Sequence, residues 1–148
     1  TIGHLGQSAL LKEMFNREDG DAPKVDLNLE KLAGEFVRAA HKARLITAAH
    51  DLSDGGLAVA ATEMALSAGV GLKLKAGDTG WFFGEDQARY LLACKDSQAL
   101  ILAAKAAGVP AELVGSFGGS NIYLGEAIID IDTVKKAFET TLRSLVSE

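Results

Sequence analysis

The apolar positions of this chain follow two periods. Leu29, Leu32, Ala33, Phe36, Val37 and Ala40 keep the i, i+3, i+4, i+7 spacing of one helix face, with Asp26 or Asn28 placed to cap it. Leu57, Ala60, Ala61, Met64, Ala65 and Ala68 repeat that spacing and stop at Gly69. Val134, Ala137, Phe138, Leu142 and Leu145 repeat it again behind Asp132, which is placed as the cap. Ala9, Leu10, Met14 and Phe15 predict a short helix, and Asp96 or Ser97 starts another that runs through Ala107 and ends at Gly108 and Pro110. Gly34 inside the Leu29–Ala40 helix costs roughly 1 kcal/mol against alanine if exposed; close packing against a neighbour is one reason to keep it.

The second period is that of strands. Val70, Leu72 and Leu74 alternate with Gly71, Lys73 and Lys75, which predicts a half-buried strand. The runs Leu45–Ala49 and Tyr90–Cys94 predict buried ones. Leu113–Phe117, Asn121–Leu124 and Ala127–Ile131, separated by Gly118-Gly119-Ser120 and Gly125-Glu126, predict a three-strand meander. Asn16–Lys24 is polar, with Gly20 and Pro23, and reads as a surface loop; Ala76–Gly80 reads as a turn. About five helices and six strands, intermixed and with hairpins among them, predict an α+β fold: one mixed, mostly antiparallel sheet with helices packed mainly on one face.

Composition adds bounds. With 148 residues, 48% of them hydrophobic, residues 1–148 are expected to form a single domain with its own core. The chain opens on Thr1 without a methionine, and the expectation is a fragment of a longer multidomain chain. A net charge of −5 and no Lys/Arg cluster argue against nucleic acid as a partner. No signal peptide and no apolar run near about 18 residues argue against a membrane span, so a cytoplasmic protein is expected. The single Cys94 lies in an apolar run and reads as packing. Trp81-Phe82-Phe83 has no basic residues interleaved, which favours core or interface packing over base stacking. As part of an exposed apolar face it would promote self-association of the fragment.

The densest chemistry lies in His50-Asp51-Leu52-Ser53-Asp54-Gly55-Gly56-Leu57, between a predicted strand and a predicted helix. Glycines permit positive φ and close backbone approach. Amides at a helix start favour anions, and carboxylates hold hard cations such as Mg²⁺ through oxygen. Together these suit a metal-bridged phosphate. The alternative is that Ser53 or Asp54 only caps the helix and Gly55-Gly56 only turns the chain. Neighbours on a strand point to opposite faces, which argues against a His50–Asp51 dyad. No Ser-His-Asp order, His-Glu-x-x-His, Cys-x-x-Cys or Walker A pattern occurs, and no catalytic residue is assigned. His4 in a loop and His41 near a helix end read as structural or exposed. Glu85, Gln87 and Arg89 alternate and, if extended, share a face able to bind a polar ligand. A solvated loop with a surface ion pair explains them equally.

The stretch Ala48–Ala60, with His50-Asp51-Leu52-Ser53-Asp54-Gly55-Gly56-Leu57 at its centre, closely resembles the C-terminal signature of the formylglycinamidine ribonucleotide synthase family. So do Phe83-Gly84-Glu85-Asp86-Gln87-Ala88-Arg89-Tyr90, the opening Ile2–Ser8, and Gly108–Ala111. The similarity is strongest to the last domain of the small-type synthase subunit, within the aminoimidazole ribonucleotide synthetase superfamily. It implies an ATP-dependent ligase of purine biosynthesis that converts formylglycinamide ribonucleotide to formylglycinamidine ribonucleotide. Its implied partners are the other domains of the same chain, a glutaminase subunit and a small third subunit. It implies ATP and Mg²⁺ at an auxiliary nucleotide site, with Asp51 as the metal ligand and Ser53, followed by Asp54, Gly55 and Gly56, at the nucleotide. Glu85, Asp86 and Gln87, and less directly His4, match a substrate-contacting segment of the parent enzyme's first half, although Asp86 replaces the serine usual there. Two rival readings are a purely structural domain and a related phosphate-transferring enzyme of the superfamily; the Ser-Asp-Gly-Gly signature argues against the latter.

Overall fold

A computed structural model describes residues 2–146, with side chains for 2–140. In order these residues form α1 (Ala9–Phe15), α2 (Leu27–Lys42), β1 (Ala48–Asp51), α3 (Gly56–Ala68), β2 (Leu72–Leu74), α4 (Thr79–Phe83), β3 (Tyr90–Ala93), α5 (Ser97–Ala106), β4 (Gly115–Phe117), β5 (Asn121–Leu124), β6 (Ala127–Asp130) and α6 (Ile131–Val146). The fold is α+β and its strand pairs are mostly antiparallel, as the sequence predicts. Contacts divide the chain into two compact units. The first combines residues up to Ala61 with Gly77–Leu113; the second combines Thr62–Ala76 with the residues from Val114 on.

In the first unit, β1 and β3 form an antiparallel ribbon that sets Ala48 opposite Ala93 and Asp51 opposite Tyr90. Asp26 caps α2 by accepting from the Asn28 and Leu29 amides, and Asp96 caps α5 by accepting from Ala99. With their ends satisfied, the two helices bury Phe36 and Ala40, and Leu100 and Ala104, in a cluster completed by Ile46. Cys94 packs against this cluster. Burial raises its thiol pKa, and neighbouring Asp96 raises it further, which favours the neutral thiol.

The second unit is built on a sheet of order β4-β2-β5-β6, in which only β2 and β5 run parallel. Leu72, Leu74 and Ile122 are its buried side chains, from the face of β2 that the alternation marked and from β5 beside it.

Several expectations are corrected. The six strands belong to two sheets instead of one. Only β5 and β6 form a hairpin, because β2 lies between β4 and β5. Gly71 donates to the Gly119 carbonyl at 2.7 Å and accepts from Gly118 at 2.8 Å, and Leu72 pairs with both Phe117 and Ile122. Gly118 and Gly119, at φ 148° and 71°, open the predicted tight turn into a connection wide enough to admit a strand. In the run Leu45–Ala49 only Ile46 is buried; β1 starts later, and Ala48 and Ala49 are exposed. Helix α4 lies where the sequence predicts a turn followed by an aromatic cluster. Asp78 caps it by accepting from Trp81, but one and a half turns are too short to carry a period. Its Phe82 is buried, with Trp81 against it edge-on at 5.0 Å, so the aromatic triple is not a wholly exposed face. The start of α6 is capped by Asp130, which accepts from Asp132 and Thr133, and not by Asp132. On α6, Val134 is half-buried while Ala137 and Phe138 are exposed; the side chains of Leu142 and Leu145 lie outside the described residues. Gly34 is not demanded by packing, since an added Cβ would meet only the Tyr90 hydroxyl at an ordinary 3.7 Å.

Candidate functional site

The signature turn is assembled by backbone constraints at both ends. The Leu52 amide donates to the Arg89 carbonyl at 3.0 Å, prolonging the β1–β3 ladder by one residue. The Gly56 amide donates to the Ser53 carbonyl at 3.0 Å, closing the turn. Gly55 and Gly56 follow at φ 76° and 60°, where a Cβ is strained. A side chain on Gly55 would collide with Val59; one on Gly56 would sit 2.5 Å from the Gly84 carbonyl oxygen. The glycines are therefore buried, whereas Asp51, Ser53 and Asp54 are exposed. Residues that can hold a ligand face outward, and residues that only glycine can supply face in.

The Gly84–Arg89 segment braces this turn. Glu85 Oε1 accepts from the Gly55 amide at 2.8 Å and from the Ala9 amide, the first of α1, also at 2.8 Å. Asp86 accepts from the amides of Ile2, Gly3 and His4 at 2.9, 3.0 and 3.2 Å. Burial would raise the Asp86 pKa, but those three amides and the Arg89 guanidinium outweigh it and hold the carboxyl below its ordinary value. Arg89 in turn donates to the carbonyls of Asp86 and Gly84. Ala88 is left-handed at φ 61°, which breaks the extended course. Glu85, Gln87 and Arg89 therefore do not line one face: Glu85 is half-buried on the turn, Gln87 is exposed, and Arg89 folds back on its own segment.

His4 Nε2 lies 2.8 Å from the Asp21 carbonyl oxygen, and the Gln7 side-chain amide donates to the carbonyls of Glu18 and Gly20. These contacts fold the polar Asn16–Lys24 loop back on the chain's opening segment. His50 Nδ1 sits 2.6 Å from the Asp51 carbonyl oxygen and 3.6 Å from its carboxylate, closer than strand alternation suggested, because β1 ends there. The Asp51 carboxylate, 69% exposed, takes none of the turn's amides. Ser53 and Asp54 do not cap α3 with their side chains; the carboxylate at that end comes from Glu85. Sequence reading overlooked Ser8, which is buried and accepts from Leu11 to cap α1. The available signal was a serine immediately before an apolar helix.

Among the described residues no three His, Cys, Asp or Glu side chains gather as a metal cluster. Two shallow grooves, one lined by Glu35, Arg38, Ala39 and Lys42 and one by Ile101, Lys105 and Gly108–Ala111, include none of the signature residues. Among the described residues no helix is long and apolar enough to cross a membrane.

Comparison with known proteins places this arrangement. The family described as AIR synthase related protein, C-terminal domain, matches residues 1–124. Phosphoribosylformylglycinamidine synthase subunit PurL of Ruegeria sp. (strain TM1040) is 52% identical over 149 residues, covering 99% of this chain and 20% of that protein. PurL of Cereibacter sphaeroides (strain ATCC 17023) is 61% identical over 129 residues, covering 86% and 18%. The chain thus spans about a fifth of the length of the curated relatives it matches. Among solved structures, phosphoribosylformylglycinamidine synthase II of Thermotoga maritima has the same fold, with a TM-score of 0.66 at 14% identity over 88% of this chain and 24% of that one. T. maritima PurL complexed with FGAR aligns at 0.62, also at 14% identity, over 71% and 20%. With the match covering most of its length and the fold repeated in these structures, the chain belongs to the family of the AIR synthase related protein C-terminal domain.

Proposed function

We propose that this chain is the C-terminal domain of a phosphoribosylformylglycinamidine synthase. That enzyme is the ATP-dependent ligase converting formylglycinamide ribonucleotide to formylglycinamidine ribonucleotide in purine biosynthesis. The observation that carries the reading is the 52% identity to a PurL subunit along 99% of this chain. The ligand-facing part of the signature turn is Asp51, Ser53 and Asp54, and its role is an auxiliary Mg-nucleotide site. T. maritima PurL, similar in fold, has been solved with ATP and with ADP. The remaining partners are the other domains of the same chain, a glutaminase subunit and a small third subunit; the structure of PurLQS from T. maritima supports an assembly of that kind.

The residues fit Mg²⁺ in one way only. Without a cluster of three protein ligands, the ion needs phosphate and water oxygens beside Asp51, and Mg²⁺ keeps several waters and accepts one or two carboxylates. When bound, it would neutralise nucleotide phosphate charge. Asp51 supplies one exposed oxygen ligand, and Ser53 a hydroxyl two residues on. Gly55 and Gly56 contribute by packing, since the Gly55 amide is held by Glu85 and the Gly56 amide by Ser53. Glu85 and Asp86 are occupied by backbone amides, which favours a bracing role over direct substrate contact for this segment.

Two experiments test this. The full-length subunit, given formylglycinamide ribonucleotide, ATP and ammonium, is expected to form the amidine, while residues 1–148 alone are expected to form none above background. Amidine from the fragment, or none from the full-length subunit, overturns the assignment. Asp51→Asn in the full-length subunit is expected to weaken Mg-dependent ATP retention roughly 10-fold or more. Its melting temperature should be unchanged, because the carboxylate braces no part of the turn. Unchanged nucleotide stoichiometry with lowered stability would rule out the metal role.

A further inference from the structure

One oxygen of Glu85 receives two amides that lie 46 residues apart in sequence, Ala9 at the start of α1 and Gly55 in the signature turn, each at 2.8 Å. The same segment makes four further hydrogen bonds to the opening residues. The Glu85 amide donates to the His4 carbonyl at 2.9 Å, and Asp86 takes the amides of Ile2, Gly3 and His4. Gly3, Gly80 and Gly84 stack backbone on backbone beside it: a Cβ on Gly3 would lie 3.1 Å from Gly80, and one on Gly84 would lie 2.8 Å from Gly3 Cα. The opening segment and the Asp51–Gly56 turn are therefore both tied to Glu85. We propose that Glu85 is a positioning residue that couples these two segments, so that the geometry of Asp51 and Ser53 depends on the docking of residues 2–9.

The chemistry favours a carboxylate here. An ionised carboxylate is acceptor-only with two oxygens, and its hydrogen bonds to amides are charge-assisted. It faces the turn that precedes α3 as well as the first amide of α1, where negative charge is favourable. Such a brace explains why an acidic residue sits beside a turn meant to hold phosphate. One of its oxygens is taken up by two backbone amides. Coupling of this kind is reciprocal: whatever orders residues 2–9 tightens the turn, and a ligand on the turn orders residues 2–9.

The inference rests on the nucleotide reading above for its functional consequence, not for its structural one, and the test separates the two. Three variants of the full-length subunit are compared: Glu85→Ala, Glu85→Gln, and Leu100→Ala as a core-destabilised control. Amide exchange read by mass spectrometry on peptides covering 8–12 and 52–57 is expected to rise in both peptides for Glu85→Ala and to rise less in both for Glu85→Gln, which keeps an accepting oxygen but loses the charge. Mg-ATP affinity is expected to fall roughly 10- to 100-fold in Glu85→Ala. It should fall less in Glu85→Gln, and remain near wild type in Leu100→Ala. If Glu85→Ala fails to fold, Glu85→Asp, one methylene shorter, replaces it with the same expectation. Faster exchange in one peptide only, or affinity loss in Leu100→Ala equal to that in the Glu85 variant, overturns the coupling. If Mg-ATP binding is absent or indifferent to Asp51→Asn while both peptides open together, the nucleotide reading fails and the brace stands.

Discussion

Gly56→Ala is expected to destabilise the first unit by about 2–5 kcal/mol, the sum of a left-handed backbone and an overpacked contact. Gly56 sits at φ 60°, and its absent Cβ would lie 2.5 Å from the Gly84 oxygen, 2.9 Å from the Phe83 carbonyl carbon and 3.1 Å from the Phe82 oxygen. All three are backbone atoms, so no rotamer change relieves the clash; either α3 or the Phe82–Gly84 segment must move. Gly108→Ala is the control. It lies in the same unit at φ 73° with nothing within 4 Å of its added Cβ, and is expected to cost about 1–2 kcal/mol from the backbone alone. Denaturant midpoints of the two variants decide. Equal losses would show that crowding at Gly56 contributes nothing.

Asp86→Asn is expected to cost roughly 2–4 kcal/mol at neutral pH, because three amides that shared a carboxylate must share one amide oxygen. Asp86 is 9% exposed, so water replaces little of what is lost. The pH dependence has a definite sign. The folded pKa lies below the unfolded value, so the unfolded chain binds this proton more readily. The stabilisation is complete above the unfolded value near 4 and disappears as pH falls through the lower folded value. Wild type should therefore lose stability below about pH 4 more steeply than Asp86→Asn, and the two curves should converge in acid. Parallel curves from neutral pH down to about pH 3 would show that Asp86 is not an ionised brace.

Both predictions concern contacts that no local period of the sequence announces. Helices α2, α3 and α5 were legible because each places apolar residues on one face between recognisable ends, such as Asp26, Gly69, Asp96 and Gly108. All six strands were legible as elements. Their partners were not: short strands of three or four residues carry no code for who sits beside them, and β2 entered between β4 and β5 where adjacency in sequence predicted a meander. The exposure of Ala48 and Ala49 was equally hidden, since an apolar run looks the same in a ribbon left open as in a buried sheet.

At the candidate site the division is sharper. The sequence by itself determined that a strand-to-helix turn joins two carboxylates, a hydroxyl and two glycines, and its likeness to a known signature pointed to a nucleotide. Which of those groups face a ligand was decided only by tertiary structure. Phe82–Gly84 packs over Gly56, Glu85 takes the Gly55 amide, and Asp51, Ser53 and Asp54 stay outside. The roles of Glu85 and Asp86 were unreadable for the same physical reason. A carboxylate that binds a substrate and one that binds backbone amides have the same letter, and only the distance to amides some 30 to 84 residues away tells them apart.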